Sequence, residues 1–224
     1  MSFVKRGLIF FTFFGAVFAI ALLVASVVTE QWVVAKAKRN TKESEGKIQF
    51  GLFHGKKELN VGYGWRTDEI DVIHQLKHEP EILNYSLWFG TVACVCGALL
   101  FCMLSAVFAV VNTARKTSVF LVSIRGLYLW NTLALLANLG IIGFWLAQFF
   151  LRIQHNVMTR EDVYNKWTSE NMADLGYSFW FVTGSAITNF INIIVICFAN
   201  TDNDETDSIY PVLEEKTNGA IMLY

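Results

Sequence analysis

The chain has 224 residues, of which 54% are hydrophobic and 17% charged, with two prolines and a net charge of −1. Charged residues fall below the about 25% usual for soluble domains, and the apolar ones are gathered in long blocks, which points to an integral membrane protein. The near-neutral balance gives no support for a nucleic-acid partner.

Residues 1–6 form a short N-terminus in which Lys5 and Arg6 precede an uncharged run, Gly7 to Val28. Its length suits a bilayer span of about 20 residues and exceeds the about 7–15 residues of a signal-peptide core, so a retained first span is expected. Gly15 and Ala19 make a small-xxx-small step that lets another helix approach closely.

Residues 29–86 form a long polar loop in which the pattern changes to period two. Trp32-Val33-Val34 and Ile48 to Leu52 read as two strands, with Lys36 to Lys47 as an exposed polar turn between them. The remainder, Lys56 to Glu81, is charged and mixed. His74, His78 and Glu79 fit one face of a short helix, but the order is not His-Glu-x-x-His, which favours a solvated helix over a metal site. Asn84 opens the one glycosylation sequon, at the edge of the next span and too near the membrane for ready use.

The second span is 87–111, with a further small-xxx-small step at Ala93 and Gly97. All four cysteines, Cys94, Cys96, Cys102 and Cys197, lie in apolar runs, so no loop disulfide is available. Residues 112–125 hold a short basic link and the start of the third helix. Arg125 is too costly for the bilayer centre and belongs near its interface. The third span is then 126–151, with Tyr128 and Trp130 suited to the interface.

Asn131 and Asn138 share one face of the third span, and Asn189 and Asn192 one face of the fourth, 176–199. Amides in lipid turn toward other helices, so these faces are expected to meet inside the bundle. Residues 152–175 form a second outer loop, read as a short helix continuing the third span. The tail, 200–224, is acidic and expected to be disordered. It offers Tyr210 and Leu213 in a Tyr-x-x-Φ sorting form, and Met222 and Tyr224 as a C-terminal PDZ ligand.

Four spans put both termini on one side. Lys5, Arg6, Arg115 and Lys116 flank the spans there, which favours the cytoplasm. The total count of basic residues runs the other way, because the long loops carry more; the immediate flanks are given precedence.

Four blocks together carry a resemblance. They are Trp32 followed by Gly51-Leu52-Phe53-His54-Gly55, then Gly126-Leu127-Tyr128-Leu129-Trp130-Asn131, Tyr177-Ser178-Phe179-Trp180, and the terminal Leu223-Tyr224. In this order the chain resembles the clarin branch of the claudin-like four-span superfamily. The resemblance implies an integral membrane, mainly α protein: a left-handed four-transmembrane-helix bundle with a small antiparallel β-sheet in the first extracellular loop. It implies that Trp32, Gly51, Leu52 and Phe53 fill the gap between sheet and bundle. The cysteine pair that staples this sheet in claudins is missing, which puts loop rigidity in question.

The sequence shows no nucleophile elbow, phosphate loop, metal cage or paired intramembrane carboxylates. An enzyme, a cofactor and a metal site are therefore not expected. The clarin resemblance implies a membrane organiser of the plasma membrane and endosomes, working in trafficking and sensory cells, with lateral membrane partners and a link to actin. Clathrin adaptors and PDZ scaffolds are its candidate tail partners. The rivals are a claudin-type junction protein, an auxiliary channel subunit and an adhesion tetraspan.

Overall fold

The computed structural model describes residues 3–39, 44–62, 64–114 and 119–218, with side chains described from Val4 to Asn200. In chain order, α1 (Phe3–Val28) leads into β1 (Val33–Arg39), β2 (Glu45–Phe50), β3 (His54–Asn60) and β4 (Trp65–Asp71). A short helix α2 (Val72–His78) precedes the long α3 (Tyr85–Ala114) and α4 (Ile124–Gln148). A π-helical turn, Phe149–Ile153, extends α4; then come α5 (Arg160–Tyr164), β5 (Trp167–Thr168), β6 (Ala173–Leu175) and α6 (Tyr177–Asn218).

Four segments, Val4–Val28, Tyr85–Ala114, Ile124–Ile153 and Tyr177–Asn200, are long and apolar enough to cross a membrane. They pack as a ring in the order α1, α3, α4, α6 and back to α1. Between lipid-facing helices close packing, rather than the hydrophobic effect, holds the contact. Accordingly α1 turns Ile9, Ala16, Ala19 and Leu23 inward and Phe10, Phe11, Phe14 and Phe18 outward.

The sheet sits on the end of the bundle away from the termini, with strand order β4-β3-β2-β1-β5, and β6 beside β5 on the same edge of β1. It is larger than the two strands expected. The stretch read as a polar turn from Lys36 to Lys47 is mostly strand, because Ala35 and Ala37 alternate inward against Lys36 and Lys38 facing out. Lys56 to Glu81, read as charged and mixed with a solvated short helix, holds that helix as α2 and adds strands. There β3 and β4 form a hairpin with one inward apolar residue each, Leu59 and Ile70, and with Lys56 opposite Glu69 and Lys57 opposite Asp68. Gly62 (φ 88°) and Gly64 (φ 136°) supply the left-handed backbone of its turn.

The second loop holds the expected short helix as α5. It also contributes β5 and β6, which pair with β1 at Arg39–Trp167 and at Val33–Leu175. Both strands are too short to show a period, and the free edge of β1 fixes them. The tail differs as well: where disorder was expected from Asn200, α6 continues to Asn218. A helix already nucleated in a span extends at one bond per residue fixed. Met222 and Tyr224 lie outside the described residues, as do the side chains of Tyr210 and Leu213.

Candidate functional site

Two places gather the singled-out side chains: the joint between sheet and bundle, and a polar knot inside the bundle. At the joint Trp32 is fully buried, its Nε1 donating to the Ser26 carbonyl at 2.7 Å. Its ring meets Trp145 of α4 edge-on, with centroids 4.8 Å apart. Leu52 is buried, and its carbonyl accepts from Trp88 Nε1 at 2.8 Å. Phe53 packs edge-on against Trp88. Thus Trp32 ties the start of the sheet to α1 and α4, while the Leu52-Phe53 pair ties the turn between β2 and β3 to α3.

Glycine is needed where backbones touch. A Cβ on Gly51 would stand 2.7 Å from the Thr29 carbonyl oxygen, and one on Gly55 would stand 2.4 Å from Phe50 Cβ. His54 is exposed, and its carbonyl accepts from Gly51 N–H at 2.8 Å, closing the turn between β2 and β3. On the far side, Gly176 N–H donates to the Trp32 carbonyl at 3.0 Å, and Ser178 Oγ lies 2.6 Å from Thr29 Oγ1. A Cβ on Gly176 would stand 2.0 Å from the Gln31 carbonyl oxygen. The Tyr177-Ser178 entry to the fourth span is thereby a clasp on the exit of the first.

Two charged links hold the loops together. Lys57 of β3 reaches Asp162 of α5 at 2.7 Å, both side chains being mostly buried, and Thr159 Oγ1 donates to the same carboxylate oxygen at 2.7 Å. Arg160 pairs with Glu79 at 3.6 Å and Glu81 at 2.8 Å. Glu79 is thus engaged across the loops. His74 and His78 stack at 4.0 Å between ring centroids, and His78 Nδ1 lies 3.0 Å from the His74 carbonyl. Among the described residues no group of three His, Cys, Asp or Glu is placed to hold a metal ion. Asn84 has a local use: its Oδ1 accepts from Ser86 N–H at 2.9 Å and caps the first turn of α3.

The polar knot draws on all four long helices. Asn131 of α4 donates to Ser105 Oγ of α3 at 2.7 Å. Its Oδ1 accepts from Asn192 Nδ2 of α6 at 3.3 Å, and Asn192 also reaches the Thr12 carbonyl of α1 at 3.4 Å. Gly15 makes room: a Cβ there would fall 2.1 Å from Asn192 Oδ1. Asn189 crosses the bundle to Cys102 Sγ at 3.6 Å. Asn138, though equally buried, bonds only to the Ala134 carbonyl of its own helix, and its Oδ1 has no hydrogen-bond partner among the described residues. Gln148 is a further buried amide, which sequence reasoning did not single out. Ser105 and Thr12 were also missed, since a lone hydroxyl in an apolar run carries no signal. Ala93 is exposed, and a Cβ on Gly97 would meet only Phe101 of its own helix, so that step faces outward.

Chemically, the knot is made of side-chain amides, the Ser105 hydroxyl, the Cys102 thiol and the Thr12 carbonyl, joined by hydrogen bonds and without a carboxylate or a basic side chain. It can fix helix register, each such bond being worth roughly 0.6–2 kcal/mol in lipid. A model of a family described as Clarin-2, Clarin-2-like, matches residues 8–196, which takes in both places and most of every span. A comparison with curated proteins gives no match.

Proposed function

The chain belongs to the clarin family, as a multi-pass membrane protein with four spans, and from that premise we propose that it is a non-enzymatic organiser of other membrane proteins. It gathers them laterally through its outer helix faces and its sheet, at the plasma membrane and in endosomal vesicles, with the termini in the cytoplasm. Its tail engages sorting or scaffold proteins through Tyr210 and Leu213 or through Met222 and Tyr224. Links to the actin cortex and to sensory-cell function belong to the same reading.

One observation carries it. Four of the polar groups inside the bundle, Asn131, Ser105, Asn192 and the Thr12 carbonyl, are turned on one another across all four helices. An interior spent in this way suits a rigid scaffold better than a permeation path, and leaves recognition to the exterior. The outward Ala93–Gly97 step supplies a surface of small residues that another helix can approach.

A second reading, a claudin-type junction protein, gains from the outer loops. The missing cysteines counted against the rigid sheet that a junction needs. Here β5 and β6 on β1, with the Lys57–Asp162 pair, tie both loops into one unit without a disulfide.

An epitope inserted beside Lys42, between β1 and β2, separates the readings. In cultured cells the organiser reading expects surface label that is diffuse or enriched on protrusions, internalised on warming, and retained at the surface in Tyr210→Ala. Continuous lines of label at cell contacts would favour the junction reading instead. Label only after permeabilisation of the plasma membrane alone would overturn the orientation.

A further inference from the structure

We propose that the groove between the first turns of α4 and the end of the fourth span binds one anionic glycerophospholipid, with its phosphate on Arg125 and an acyl chain laid along the groove. The groove encloses about 440 Å³ and opens on the leaflet nearest the chain termini. Its walls are mostly apolar: Tyr128 and Leu129 from α4, and Ile196 and Cys197 from α6, with Thr132 also in the lining. That volume lies within the range of small-molecule sites. Lipid is the solvent on this side of the bundle, so a chain is the natural occupant of such a slot.

Charge selects the lipid. Arg125 lines the mouth of the groove and is exposed, and no acidic side chain among those described, which end at Asn200, pairs with it. Asn200 adds an amide to the same lining. Ser123 turns its hydroxyl back to the Phe120 carbonyl at 2.8 Å, so the first N–H groups of α4 have no side-chain cap and face the same end with their partial positive charge. A guanidinium beside an apolar slot at the interface matches a phosphate joined to an acyl chain. In the orientation proposed above this is the cytoplasmic leaflet, where anionic lipids are concentrated. The vesicle-free test below does not depend on that orientation, so the two ideas fail separately.

The test uses the full-length protein in detergent, delipidated and titrated with phosphatidylserine or phosphatidylcholine, with bound lipids counted by native mass spectrometry. The expected result is one preferred phosphatidylserine. Arg125→Gln lowers its apparent affinity about fivefold, as for loss of one basic contact at an anionic surface, while Arg125→Lys keeps most of it. Leu129→Trp, which fills the groove, lowers occupancy by both lipids, and Arg152→Gln at the opposite membrane face changes nothing. Equal affinity of the wild type for the two lipids would overturn the proposal, whatever the variants do. So would an Arg125→Gln protein of unchanged thermal stability that keeps the preference. Competition by the chain-free headgroup as effective as by the lipid would also overturn it, by removing the groove from the site.

Discussion

Trp32 and Trp145 meet edge-on across the boundary between sheet and bundle, at an interplanar angle of 67°, yet only one of them has its indole nitrogen satisfied. Trp32 Nε1 donates to the Ser26 carbonyl, whereas Trp145 Nε1 has no hydrogen-bond partner among the described residues. Replacing each by Phe keeps an aromatic ring in place but removes a hydrogen bond at Trp32 alone. Trp32→Phe should therefore cost about 1 kcal/mol more than Trp145→Phe. Thermal unfolding in a single detergent measures the difference, and equal losses would contradict the assignment.

Gly15 and Asn192 should behave as a pair. Gly15→Ala pushes a methyl into the Asn192 amide, and overpacking of this kind costs about 1–3 kcal/mol. Shortening the neighbour with Asn192→Ser should recover part of that loss, so the double variant is more stable than the two single losses sum to. Strict additivity would show that α1 yields elsewhere.

The Lys57–Asp162 contact predicts an asymmetric result. Lys57→Met strands a buried carboxylate, and loss of a hydrogen bond to a charged group costs about 2 kcal/mol. Asp162→Asn, which retains an acceptor for Lys57 and Thr159, should cost less. Amide exchange across residues 160–175 reports the loosening, which should leave the long helices unchanged.

Gly176 and Gly97 should respond in opposite directions to alanine. At Gly176 the obstacle is the Gln31 backbone, which cannot step aside, so β6 should separate from β1 and exchange its amides faster. Gly97 meets only Phe101, at 3.8 Å, within α3, so Gly97→Ala should stabilise the helix by up to about 1 kcal/mol.

The spans were legible because each is an uninterrupted apolar run between charges, and a bilayer demands little else. The joint was legible through Trp32 and Gly51-Leu52-Phe53, whose spacing carries the family resemblance. The hairpin of β3 and β4 was not, because its strands bear charge on both faces and declare themselves only through cross-strand pairs such as Lys56 with Glu69. Strands β5 and β6 exist only as partners of β1, a long-range fact that no local pattern encodes. Within the knot, the sequence marked amides but not their partners: Asn131 finds Asn192 and Ser105, while Asn138 turns to its own helix.

The pairing of β1 with strands from opposite ends of the chain has a consequence for biosynthesis. One edge of β1 is covered early by β2, but the other waits for Trp167 and Ala173. Chains grow at about 5–20 residues per second, so that edge stays bare on the order of ten seconds while two further spans are threaded into the bilayer. An uncovered strand is a template for wrong pairing. A chain cut short after the third span would keep that edge open for good, which makes the loop between the third and fourth spans the segment that completes the sheet.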